Sequence, residues 1–280
     1  MNLRRRISGL LGVALCFCSI VSAEAQPKLL ARIALISDPH VNRATNGMDA
    51  TFGPHFTKVI SQVNTSSVDF VVIAGDLTQL GKPEEFDDFR KRIKEIHAPV
   101  YYAPGNHDVG NKKLDGKREE VTTERVALYE KKLGDSFFLK EKHGVRILSL
   151  NSSLFGSGLP REEEQWKFLE KKLTKSSTPT IAFMHYAVFL EKPDEKGGGY
   201  WNIEPAPRKR LLELFDKAGV QTVLTGHLHK QLVNRADGIL FVTTPPVSFG
   251  LPRGKQQEGW TLVTLMSEGP AQFEFRYIDN

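Results

Sequence analysis

Short apolar runs recur along the chain and alternate with stretches whose apolar positions return at helical spacing. Arg32 to Ser37 (RIALIS), Asp69 to Ala74 (DFVVIA), Val100 to Ala103, Val145 to Leu150 (VRILSL), Thr180 to Met184 (TIAFM) and Val220 to Leu224 (VQTVL) read as strands. A run as apolar as DFVVIA belongs to a strand covered on both faces. Between the strands, Phe56, Val59, Ile60 and Val63 put one apolar face on a helix over 54–63. Phe86, Phe89, Ile93 and Ile96 do the same for a helix over 84–96 that opens behind Pro83. Helices are also expected over 121–133, 160–173 and 208–218. Strands alternating with helices predict an α/β protein with a mostly parallel sheet, whose strand carboxyl ends share one rim. From Ile239 onward ILFVTTPPV, WTLVTL and AQFEFRYI follow without helices, so antiparallel strands close the chain in a second sheet or at an edge.

Polar residues gather where these strands end, which is where open α/β sheets keep their sites. The first strand runs into Asp38-Pro39-His40, and Pro39 ends the ladder so that the carboxylate and the imidazole can converge beyond it. The second delivers Gly75-Asp76, with Gly75 permitting close backbone approach. The third delivers Pro104-Gly105-Asn106-His107-Asp108, a neutral oxygen ligand beside a proton carrier. Later strands end in His185 and in Gly226-His227-Leu228-His229, whose two imidazoles two residues apart are the strongest single ligand signal. His55, His97 and His143 read instead as a first-turn surface residue, a helix cap and a turn residue. Residues 41–52, 111–119 and 186–207 read as loops over the site, the second charged and mobile, the third presenting Tyr200 and Trp201.

The first 25 residues change the picture of where the protein works. Arg4, Arg5 and Arg6 precede an apolar stretch, Gly9 to Val21, too short for the ~20 residues of a membrane span. Ala23-Glu24-Ala25 then supplies a small-x-small cleavage site. Residues 1–25 are expected to be a cleaved signal peptide, residues 26–280 one domain, and the protein exported, periplasmic or secreted, without a membrane anchor after cleavage. Whether the Sec or the twin-arginine route carries it stays open. Both cysteines, Cys16 and Cys18, fall inside this segment, so the mature chain has no disulfide and no thiolate ligand. The formal charge of +5 falls to +3 once three arginines and Glu24 are removed. Its lysines are scattered among acids, which argues against a nucleic-acid groove and is compatible with a small anionic substrate. Oligomeric state is not legible.

Asp38, His40, Asp76, Asn106, His185, His227 and His229 make seven nitrogen and oxygen ligands. One ion seldom takes so many, whereas two ions sharing a carboxylate, about 3.5–4 Å apart, use them well. A water between two cations is largely hydroxide at neutral pH, so no side-chain nucleophile is required.

The ordered motifs Asp-Pro-His, Gly-Asp, Gly-Asn-His-Asp, His and Gly-His-Leu-His resemble the calcineurin-like metallophosphoesterases over essentially all of the mature chain. The resemblance implies a four-layer α/β/β/α sandwich with two packed mixed sheets. It also implies Asp38, His40, Asp76 and His229 on one ion and Asp76, Asn106, His185 and His227 on the other. The ions would be two divalent or trivalent transition metals, Mn, Fe or Zn. His107 would act as general acid with Asp108 orienting it, in the hydrolysis of a phosphomonoester or phosphodiester. Gly75-Asp76-Leu77-Thr78-Gln79, Gly81, Pro99-Val100-Tyr101 and Gly259-Trp260 look most like the class III cyclic-nucleotide phosphodiesterase group. Tyr186-Ala187-Val188 departs from that group, and Gln79 stands where purple acid phosphatases carry a metal-binding tyrosine. The alternative is a catalytically weak or inactive metal-bound binding protein.

Overall fold

The computed structural model describes residues 27–113, 116, 119–197, 199–269 and 271–278. The expected signal peptide lies outside them. The apolar runs form two sheets, so the single shared rim expected from alternation alone is replaced by two. The first sheet has the order β11-β10-β1-β2-β3, with β1 Leu29–Ile36, β2 Phe70–Ala74, β3 Val100–Ala103, β10 Gly259–Met266 and β11 Gln272–Tyr277. Its β1, β2 and β3 run parallel, and β10 returns antiparallel to β1. The second has the order β4-β5-β6-β7-β9-β8, from β4 Phe138–Lys142, β5 Val145–Ser149, β6 Thr180–Phe183, β7 Val220–Thr225, β8 Leu232–Ala236 and β9 Ile239–Thr243. Strands β5, β6, β7 and β9 are parallel, with β4 and β8 as antiparallel edges.

The period-two alternation of the central strands explains the layering. On β1, Ile33 and Leu35 face the second sheet, packing with Val72, Ile147, Phe183 and Leu224 in a core between the sheets. Ala34 and Ile36 point the other way, onto a layer of helices α1 Phe52–Asn64, α2 Pro83–Arg92 and α4 Thr123–Leu133. The far face of the second sheet packs Leu148, Ala182 and Val223 against α5 Pro160–Lys172 and α6 Pro205–Ala218. Three apolar layers thus hold four layers of structure, α/β/β/α. The remaining helix, α3 Asn106–Val109, is a single turn leaving β3. Among the described residues no helix is long and apolar enough to cross a membrane.

Candidate metal centre

The chain leaving β1 keeps pairing with the chain leaving β2 after both strands have ended. Asp38 N–H donates to Gly75 O at 3.1 Å, His40 N–H to Asp76 O at 3.0 Å and Val41 N–H to Leu77 O at 3.0 Å. The second sheet joins them there: the His227 N–H donates to Asp38 Oδ2 at 3.1 Å. The centre therefore sits where the carboxyl ends of β1, β2 and β3 meet those of β6 and β7, across both sheets. Aiming the side chains inward requires unusual backbone. Of eight non-glycine residues with positive φ among the described ones, five are Asp38 (55°), His40 (45°), Asp76 (48°), His227 (68°) and His229 (50°). Such conformations cost about 1–3 kcal/mol each and persist where the surroundings enforce them, above all at functional sites.

All seven expected ligands are buried, and the six carboxylates and imidazoles among them fall into two groups that share Asp76. In one, His40 Nε2 lies 3.6 Å from Asp76 Oδ2 and 3.9 Å from Asp38 Oδ1. His229 Nε2 lies 3.3 Å from Asp38 Oδ1. In the other, His185 Nε2 lies 3.1 Å from Asp76 Oδ2, 3.2 Å from Asn106 Oδ1 and 3.1 Å from His227 Nδ1. The structure thus brings the seven candidates together, six of them as carboxylate and imidazole clusters around Asp76, and Asn106 through its contact with His185. Asp38 Oδ1 and both ring nitrogens of His40 are buried without a hydrogen-bond partner. Buried polar atoms are ordinarily paired, and a thiolate-free nitrogen and oxygen set of this kind is compatible with a dinuclear site for divalent ions. The Gly75 expectation also holds, since a Cβ there would come within 2.6 Å of the His185 ring.

Backbone carbonyls fix the imidazole tautomers. A carbonyl can only accept, so His185 Nδ1–H donates to Ala74 O at 2.8 Å, His227 Nε2–H to Tyr200 O at 3.0 Å and His229 Nδ1–H to Phe249 O at 2.6 Å. Each bond leaves the opposite nitrogen facing the cluster, the orientation that metal-binding histidines need. Burial disfavours charge on His185, but the Asp76 carboxylate outweighs it and raises the imidazole to about 9. Burial holds His40 and His227 well below the usual imidazole range. It also works against charge on Asp76, yet His185 and His107 bring that carboxyl well below its usual value.

His107 N–H donates to Asp76 Oδ1 at 2.8 Å, and its ring Nδ1–H donates to Gln79 O at 2.7 Å. The expectation that Asp108 orients His107 is corrected here. The Asp108 carboxylate accepts instead from the N–H groups of Gly105, Leu77 and Thr78 and from the Thr78 hydroxyl, at 2.7–3.0 Å. The three bonds from Leu77 and Thr78 lock the loop after β3 to the loop after β2, the bond from Gly105 closes the β3 loop on itself, and the Gln79 carbonyl orients the His107 ring. Burial, with the Asp76 charge, pushes the Asp108 carboxyl up to about 6. His107 and Asn106 form one wall of a cavity of about 520 Å³ whose other walls include Gln79, Lys82, Asn111, Arg125 and Tyr200. The carbonyls of Ala74, Gln79, Tyr200 and Phe249 were not foreseeable, because backbone acceptors carry no residue-type signal. Of the segment 111–119, expected to be charged and mobile, residues 114, 115, 117 and 118 lie outside the described ones, while Lys112 is buried and its ammonium binds Asn202 O and Glu204 Oε1.

Residues 31–231 match the calcineurin-like phosphoesterase family. A serine/threonine-protein phosphatase CPPED1 of Danio rerio is 30% identical over 210 residues, 70% of this chain; the match spans only 64% of that relative's length. A probable cyclic nucleotide phosphodiesterase of a Synechococcus strain is 24% identical over 262 residues, covering 88% of this chain and 92% of that one. The yellow lupin purple acid phosphatase PPD1 shares the fold, with TM-score 0.63 at 15% identity over 91% of this chain and 52% of that one. The chain is a member of the calcineurin-like phosphoesterase family.

Proposed function

We propose that the protein is a metal-dependent hydrolase of small phosphoesters. The observation that carries this reading is the pair of buried ligand groups sharing Asp76, with His107 beside them on a cavity wall. Asp38, His40, Asp76 and His229 would hold one ion, and Asp76, Asn106, His185 and His227 the other. When bound, such a pair supplies Lewis-acid stabilisation of phosphoryl oxygens and an acidified water. The chain's own residues do the rest. Lys82 and Arg125 give the cavity positive charge for an anionic substrate, partly offset by Glu119, whose carboxylate is 2.8 Å from Arg125. The Gln79 carbonyl holds the His107 ring with Nε2 left to protonate the departing alkoxide, a contribution of about 10²- to 10⁴-fold.

The choice among Mn, Fe and Zn follows supply, because this ligand set suits each. Residues 1–25 fit an export signal removed after Ala25, with 26–280 as the catalytic domain in the periplasm or outside the cell. Exported protein beginning at Gln26 supports this, and one retaining Met1 contradicts it. The test of function is a screen of metal-reconstituted protein against p-nitrophenyl phosphate, bis(p-nitrophenyl) phosphate and cyclic nucleotides. Metal-dependent turnover of any of them supports the hydrolase. A stable, fully loaded protein inert toward all of them would favour the binding-protein alternative.

A further inference from the structure

The adjacent residues Tyr200 and Trp201 each line a cavity. Tyr200 lines the polar one with Asn106 and His107. Trp201 lines a second, of about 410 Å³, with Leu190, Leu228, Lys230, Leu251 and Pro252. The two rings meet edge to face at 4.8 Å, and they pack on His227 at 4.7 and 5.6 Å respectively. The second cavity is built on the ligand-bearing backbone. Leu228 stands between His227 and His229 in the chain, and the Leu251 N–H donates to His229 O at 2.8 Å. Its walls are an indole, three leucines, a proline and the stem of a lysine, and the indole is 38% exposed although one side of it packs on His227. Concave, mainly apolar surfaces of this size take apolar groups, and the packing of Trp201 on His227 puts this one beside the centre.

We infer that this cavity receives an apolar substituent that stays on phosphorus, so that the preferred substrate is a phosphodiester with one apolar and one polar arm. The inference rests on the function proposed above. The departing oxygen must reach His107, which lies on the polar cavity, so the alcohol that leaves occupies that side. A monoester has only this one arm and would leave the apolar cavity unused. In the reaction water adds to phosphorus and the P–O bond to the polar alcohol breaks with its electron pair. His107 protonates that oxygen and recovers a proton from solvent, to which the attacking water releases its own. The products are a polar alcohol and an apolar phosphomonoester.

Two diesters with the same leaving group, phenyl p-nitrophenyl phosphate and methyl p-nitrophenyl phosphate, isolate the retained arm. The metal-loaded wild type should prefer the phenyl diester by about tenfold or more in kcat/KM. Trp201→Ala and Leu190→Asp should each bring that ratio toward unity, with metal content measured alongside. Equal kcat/KM for the two diesters in the wild type, or a ratio that survives both substitutions, overturns the inference. If loaded protein turns over neither diester, the hydrolase reading has failed and calorimetry decides the cavity. Phenylphosphonate binding about tenfold tighter than methylphosphonate, with the difference lost in Leu190→Asp, keeps the apolar site; equal binding removes it.

Discussion

Asp76 carries more of the centre than any other residue. Its Oδ2 faces both His40 and His185 while its Oδ1 accepts the His107 N–H. That last bond is made by backbone, so it survives replacement of the His107 side chain, whose ring belongs to neither ligand group. His107→Ala should therefore lower turnover by about 10²- to 10⁴-fold with metal content near wild type. Metal analysis of that variant checks it: loss of an ion would make His107 a ligand, and unchanged turnover would end its acid role. The metal-free protein carries a second residue-scale consequence. The His185 imidazole, raised to about 9 beside Asp76, stabilises the fold fully below its ordinary value near 6.5, and that contribution is lost as pH climbs through about 9. Asp76, held low, contributes above the ordinary carboxyl range and loses it only in acid. His40 and His227, held neutral by burial, oppose this only near pH 6.5 and below, so urea unfolding of the metal-free chain should give a lower midpoint at pH 9 than at pH 7.5; an equal or higher one contradicts the ion pair.

At the scale of elements, the loops over the site are held in place by buried charge. Lys112 lies beneath the surface with its ammonium on Asn202 O and 2.7 Å from Glu204, and so ties 109–113 to 200–204. Arg208 at the start of α6 donates to Ile203 O, Pro193 O and Glu195 O, bracing the same loop from the other side. This loop presents the Tyr200 carbonyl to His227. Lys112→Met leaves the Asn202 carbonyl without its donor and should cost about 2 kcal/mol in unfolding free energy. By loosening the hold on His227 it should also weaken uptake of one ion by about 10- to 100-fold, read by metal titration. Wild-type affinity for both ions would show that the clasp does not reach the centre. The strands that deliver ligands were legible because each is a buried run stopping at a polar motif. Strands β4 and β8 were missed because their residues are largely half-buried or exposed and carry no such run. The helix expected over 84–96 ends as α-helix at Arg92 and tightens into a 3₁₀ turn, Ile93–Glu95, a boundary that apolar spacing does not mark.

For the whole molecule, the sandwich solves a problem of convergence. Asp38, Asp76 and Asn106 come from one sheet and His185, His227 and His229 from the other. The core of Leu35, Val72, Phe183 and Leu224 between the sheets sets how closely the two rims approach. Periodicity located the elements and their polar ends, but which strands share a sheet depends on pairing between distant segments. The helix-free strands after Ile239 left a second sheet or an edge open, and the full two-sheet arrangement was legible through the ordered motifs; the structure divides those strands, β8 and β9 in one sheet and β10 and β11 in the other. The central claim is that both ions depend on one shared carboxylate, and Asp76→Asn tests it most directly through metal-to-protein stoichiometry after reconstitution. The account predicts two ions per chain in the wild type, with both occupancies falling together in the variant. Loss of one ion while the other stays at full occupancy would contradict it.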